Sequence, residues 1–84
     1  MEEIRFDTEY ITLGQLLKMT DAIDSGGMAK WFLSENAVYI NGEVDQRRGR
    51  KLRNKDVVNI PGVGKFLMIG PENGEDIFEI QNQM

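Results

Sequence analysis

The chain has 84 residues, with 10 Lys and Arg against 14 Asp and Glu, and so a formal charge of −4. That length allows one small domain with a modest core, and 40% hydrophobic with 29% charged residues is the composition of a globular chain, not a disordered one. The absence of Cys and His excludes disulfides, thiolate nucleophiles, zinc fingers and Ser-His-Asp triads, and no apolar run approaches the roughly 20 residues of a membrane helix.

Residues 1–10, MEEIRFDTEY, form an acidic lead-in without the basic start and apolar stretch of a signal peptide, so a cytoplasmic address is expected. A short strand fits Ile4–Phe6, where apolar and polar residues alternate. Thr12 is the N-cap candidate for a first helix, in which Leu13, Leu16 and Leu17 recur at helical spacing. Gly14 costs that helix about 1 kcal/mol relative to Ala, which points to close packing or to the approach of a ligand. Asp21 to Asp24 link to a second helix, capped by Ser25 and running through GGMAKWFLSE. Ala29, Phe32 and Leu33 form its core stripe, and Asn36 is expected to end it in the left-handed conformation.

Val38-Tyr39-Ile40 is the clearest strand. Asn41-Gly42 after it predicts a type I′ hairpin turn, which needs positive φ at both central residues, with Glu43-Val44-Asp45 returning. The stretch QRRGRKLRNK then reads as an exposed loop whose anchor to the core is Leu52. Asp56–Ile60 and Lys65–Ile69 are two more strands, separated by the turn at Pro61–Gly64. Beyond Gly70 the acidic tail of residues 71–84 either stays unstructured or adds a short strand at Ile77–Ile80.

Charge is segregated along the chain. Residues 10–65 hold nine of the ten basic residues, and Arg47, Arg48, Arg50, Lys51, Arg53 and Lys55 fall within nine positions, flanked by Asp45 and Asp56. A local patch acts within a Debye length of about 8–10 Å, whatever the net charge. The patch has three readings: a solvated loop, a dock for an acidic protein, or a phosphate-binding surface. Four of its six cations are Arg, which suits bidentate phosphate contacts, and two further lysines, Lys18 and Lys30, are available on the helices. Trp31 and Tyr39 are candidates for base stacking or for partly buried cover, whereas Phe32 belongs to the core. Gly62-Val63-Gly64-Lys65 is not a phosphate loop, because Asn59 and Phe66 occupy the positions that need Gly and a hydroxyl. Nothing in the sequence forms a calcium loop, a metal site or a catalytic constellation, so neither catalysis nor a cofactor is expected.

The order of elements and the spacing of Ser25, Ala29, Leu33, Asn36, Val38, Ile40, Asn41 and Gly42 carry a family resemblance. The sequence resembles the RNA-binding domain named after the fourth small-subunit ribosomal protein, the S-four domain, from Ile11 to Ile60, or to Ile69 with the last strand. The stretches ITLGQLLK, SGGMAKWFLSE and RRGRKL look like its small free-standing bacterial members of the YaaA type. Larger members usually open their two helices with Arg-Leu-Asp and Ser-Arg, where this chain has Thr12-Leu13-Gly14 and Ser25-Gly26. Two helix arginines that commonly touch RNA are therefore missing, which shifts the expected contacts to the Arg47–Lys55 loop. Gly26 and Gly27 would leave backbone N–H groups uncovered for a phosphate, or serve only as a tight start to the helix.

The expected architecture is α+β: two short helices on a twisted antiparallel or mixed sheet of four to five strands, with residues 11–70 as the domain. The resemblance implies binding of structured RNA, among ribosomal RNA, transfer RNA or ribosome-assembly intermediates. No membrane partner is expected, and the sequence leaves the oligomeric state open, with a monomer favoured. A protein-interaction module whose basic loop docks an acidic partner is the alternative.

Overall fold

The computed structural model describes residues 1–71; the tail beyond Pro71, including the strand considered at Ile77–Ile80, lies outside the described residues. In chain order the elements are β1 (Glu2–Arg5), β2 (Ile11–Thr12), α1 (Leu13–Met19), a 3₁₀ turn (Gly26–Met28), α2 (Ala29–Glu35), β3 (Val38–Ile40), β4 (Glu43–Asp45), β5 (Lys51–Leu52), β6 (Val57–Ile60) and β7 (Gly64–Ile69). The fold is α+β, with a mixed five-stranded sheet in the order β1-β7-β6-β3-β4 and a separate two-stranded sheet, β2-β5. In the larger sheet β1 runs parallel to β7, and the other neighbours are antiparallel. Residues 2–5 of the acidic lead-in thus form an edge strand of the main sheet.

Local chemistry explains the start of α1. Thr12 is extended, its hydroxyl accepts from the Gln15 N–H at 3.2 Å, and the Gln15 side chain accepts from the Thr12 N–H at 2.7 Å, which makes a reciprocal capping box. The second helix departs from expectation at both ends. It does not run from Gly26, because the Met28 and Ala29 N–H groups bond three residues back, to Ser25 and Gly26, and make a 3₁₀ turn. The glycine pair is the physical reason, since glycine favours the α-helix less than any residue but proline. Ser25 is extended but makes no side-chain capping bond. Asn36 is not left-handed: at φ −135° it is already extended towards β3, and it ends the helix by donating to the Phe32 carbonyl from its own N–H (2.9 Å) and from Nδ2 (3.0 Å).

The hairpin forms as its sequence predicts, with Asn41 at φ 53° and Gly42 at φ 87°. Asn41 is held further, its Oδ1 accepting from the Val57 N–H and its Nδ2 donating to Asp56. Leu13, Leu16, Leu17, Ala29 and Leu33 of the helices lie in one cluster with Val38, Ile40, Val58, Ile60, Phe66 and Met68 of the sheet. Strict alternation along β6 and β7 sends the intervening residues Val57, Asn59, Lys65 and Leu67 to the face that carries no helix. Ile11 and Leu52, paired across the small sheet, are buried in the same core.

Leu33 is 1% exposed in this cluster. Leu33→Ala is expected to lower stability by about 2–5 kcal/mol, read as a shifted denaturation midpoint in urea with an unchanged slope.

Candidate nucleic-acid interface

The basic segment after β4 is not a free loop. Its first residue, Gln46, donates from Nε2 to the Leu33 carbonyl near the end of α2, at 2.7 Å. The carbonyls of Arg48 and Arg50 accept from the Gly14 and Leu13 N–H groups at 2.9 and 2.8 Å, which binds the segment to the start of α1. Lys51 and Leu52 continue the contact by pairing with Thr12 and Ile11, so a strand stands where the sequence suggested loop. At the far end Lys55, at φ 75°, donates its N–H to the Met68 carbonyl at 2.8 Å. The backbone is thus fixed to α1, β2 and β7, and the Gln46 side chain ties it to α2, while most of its cations point outward.

Gly14 explains itself here. A Cβ at that position would lie 3.3 Å from the Arg48 carbonyl oxygen and 3.6 Å from the Arg48 and Ala29 Cβ atoms. Its role is close packing of the basic segment on α1. Gly26, Gly27 and Gly49 differ: their φ angles are ones other residues adopt, and an added Cβ would meet nothing closer than 4.0 Å. The fold itself does not require glycine at these three positions.

Asp45 is the buried acid of the site, with a side chain 7% exposed. Its Oδ1 accepts from the Arg47 backbone N–H (2.9 Å) and from Arg47 Nε (3.0 Å), and its Oδ2 accepts from Arg47 Nη2 (2.7 Å) and Arg50 Nη1 (3.0 Å). The Arg47 side-chain hydrogen bonds hold the carboxyl far below the usual carboxylate range; burial works against this, and the Arg47 N–H and Arg50 add to it. The same pairing raises the Arg47 guanidinium. Sequence reasoning counted Asp45 only as a flanking charge. Its inward direction, with Val44 outward, reverses what hydropathy favours, and the reason is the pair of arginines that return to it.

Five of the six cations of this basic ridge line two hollows, which share Gly49. Arg47, Arg50, Lys51 and Arg53 line one hollow with Gly49 and Asp56. Arg48 lines a second with Lys18, Gly14, Gly26 and Gly49, between the basic segment, α1 and the 3₁₀ turn. Of the expected site residues, Lys30, Lys55 and Gly27 line neither hollow, although all three are exposed. A contact that the sequence did not reveal is Tyr10, whose ring lies 4.9 Å from Lys51 Nζ and 5.5 Å from Arg53 Cζ. The stacking candidates Trp31 and Tyr39 are 59% and 38% exposed, on α2 and on the helix-free face of the sheet. Among the described residues no group of acids could hold a metal ion, and no helix is long and apolar enough to cross a membrane.

Comparison with known proteins adds the family. The S4 domain pattern matches residues 4–67, and the chain belongs to that family. Over 66 residues it is 62% identical to the probable ribosome maturation protein RlbA of Bacillus subtilis (strain 168), an alignment that covers 79% of this chain and 93% of that protein.

Asp45 gives the site an acid-sensitive anchor. Its folded-state pKa lies below the unfolded value near 3.9, so its stabilisation is complete above about pH 5 and is lost as pH falls through the depressed folded value. Asp45→Asn is expected to be less stable than the parent by about 1–3 kcal/mol at pH 7, with the gap narrowing below about pH 4, in urea titrations run across pH.

Proposed function

We propose that this S4 domain chain binds structured ribosomal RNA during ribosome maturation, in the cytoplasm, through phosphate contacts and without catalysis. The observation that carries the reading is the basic segment itself: held by hydrogen bonds to four elements, three through its backbone and one through Gln46, it displays Arg47, Arg48, Lys51 and Lys55 at the surface. A fixed backbone reduces the ordering cost of binding, and a ridge of cations lining two hollows fits the uneven phosphate surface of folded RNA. Family membership supports RNA as the ligand class, and the name of the Bacillus subtilis relative supports the ribosomal setting. Glycine at positions 26 and 49, where the fold tolerates a side chain, leaves the second hollow open to a backbone that approaches closely. Reading by phosphate contact fixes register and shape, with little dependence on base sequence.

The structure changes which residues best test this. Arg50 is tied to Asp45, so a glutamate there would set two carboxylates against each other and confuse binding with folding. Lys18 and Arg48 are exposed, line the same hollow and form no ion pair among the described residues. If four to six phosphates are neutralised, affinity for deproteinised ribosomal RNA should fall about 50- to 2,000-fold between 50 and 200 mM salt. Lys18→Glu with Arg48→Glu should weaken binding to all RNA sequences alike and reduce the log–log salt slope by roughly 1.4–1.8, with the melting temperature nearly unchanged. Equal affinities and parallel slopes would refute the interface. Partner capture that survives RNase would instead support the acidic-protein dock.

A further inference from the structure

Lys51 and Arg53 of the basic segment are held differently from Arg47 and Arg50. Arg47 and Arg50 are fixed by the Asp45 carboxylate, whose charge offsets part of their own. Lys51 and Arg53 are instead gathered on the ring of Tyr10. The register of the small sheet dictates this arrangement. Ile11 pairs with Leu52 and Thr12 with Lys51, so Tyr10 extends the ladder opposite Arg53 and diagonal to Lys51. Alternation then sends Ile11 and Leu52 into the core and puts Tyr10, Lys51 and Arg53 on the opposite face. Lys51 and Arg53, two residues apart on that face, repel each other unless something draws both in. Tyr10 is itself secured, since the Thr8 hydroxyl donates to its carbonyl at 2.8 Å.

We propose that Tyr10 is a positioning residue of the nucleic-acid interface, an aromatic platform that sets Lys51 and Arg53 for phosphate without neutralising them. This rests on the RNA-binding reading above. The ring attracts cations through its quadrupole and carries no net charge, so the full charge of both side chains stays available to the ligand. The remaining neighbour is Glu9, 3.7 Å from Arg53 and 67% exposed, a weak and screened pairing that a phosphate can displace. The interface therefore extends beyond the basic segment to the link between β1 and β2.

The test is a double-mutant cycle read as affinity for deproteinised ribosomal RNA at several salt concentrations, with thermal melts of each variant. Tyr10→Leu, which keeps apolar bulk but removes the ring, should weaken binding about 5-fold, whereas Tyr10→Phe should bind like the parent. In a background carrying Lys51→Gln and Arg53→Gln, Tyr10→Leu should have almost no further effect, because the residues through which Tyr10 acts are gone. A loss of equal size in both backgrounds overturns the proposal, as does a Tyr10→Phe variant no better than Tyr10→Leu. The underlying reading fails separately: a parent protein that binds no RNA, or binds with no salt dependence, removes the interface and Tyr10's role with it. Parent binding that responds to Lys18→Glu with Arg48→Glu but not to Tyr10→Leu leaves the interface standing and overturns the role of Tyr10 alone.

Discussion

The first N–H groups of a helix have no partner inside it, and this chain satisfies those of α1 in a way that organises everything around them. Gln15 donates to the Thr12 hydroxyl and Thr12 to the Gln15 side chain, a purely local solution. Leu13 and Gly14 donate to the carbonyls of Arg50 and Arg48, far along the chain. A segment dense in positive charge would by itself expand through self-repulsion. Here its backbone completes a helix and pairs with β2, and Leu52 is fully buried beneath it. Folding and the display of cations are therefore one event, because the bonds that finish α1 are the bonds that shape the ridge.

Two kinds of counter-group manage the charge on that ridge. Asp45 is a buried carboxylate with three side-chain donors and one backbone donor, and it holds Arg47 and Arg50 rigidly. Asp56 spends its oxygens differently, accepting from the Arg53 backbone N–H and from Asn41 Nδ2. It shapes the turn before β6 and links it to the hairpin. The acids beside the basic run are thus structural members of it, each committed to a specific donor, and the surplus of cations remains at the surface.

What the sequence revealed was mainly what neighbours in the chain decide. The Thr12 cap has its partner three residues away, and the Asn41-Gly42 turn depends on two backbone angles, so both were legible. The start and end of the second helix were less so: the glycine pair tips the chain into a 3₁₀ turn, and the route into β3 leaves Asn36 extended. Harder still were the features that need distant partners. A two-residue strand inside QRRGRKLRNK is visible only once β2 is known to lie beside it, and Asp45 faces inward only because Arg47 and Arg50 meet it there. The candidate cations were found as a group by their density, but their division between two hollows, and the ring of Tyr10 under two of them, follow from register. The family resemblance supplied the architecture and the ligand class, and not these contacts.

The parallel pairing of β1 with β7 has a consequence for how the protein is made. Glu2 lies opposite Phe66 and Arg5 opposite Ile69, so the first strand described pairs with the last, and β1 is synthesised well before its partner. At about 5–20 residues per second, β1 waits roughly 3–13 s for its partner. The hairpin, α1 and the contacts of the basic ridge with α1, α2 and β2 can assemble in that interval, since their bonds join residues already made, while the Lys55–Met68 bond waits for β7. The waiting strand must meanwhile avoid the edges of other nascent chains. Of its residues only Ile4 turns to the core, while Glu2, Glu3 and Arg5 are charged and exposed, a composition that discourages edge-to-edge pairing. The charges that flank Ile4 thus suit β1 to two settings, an edge of the finished sheet and a strand whose partner has yet to be made.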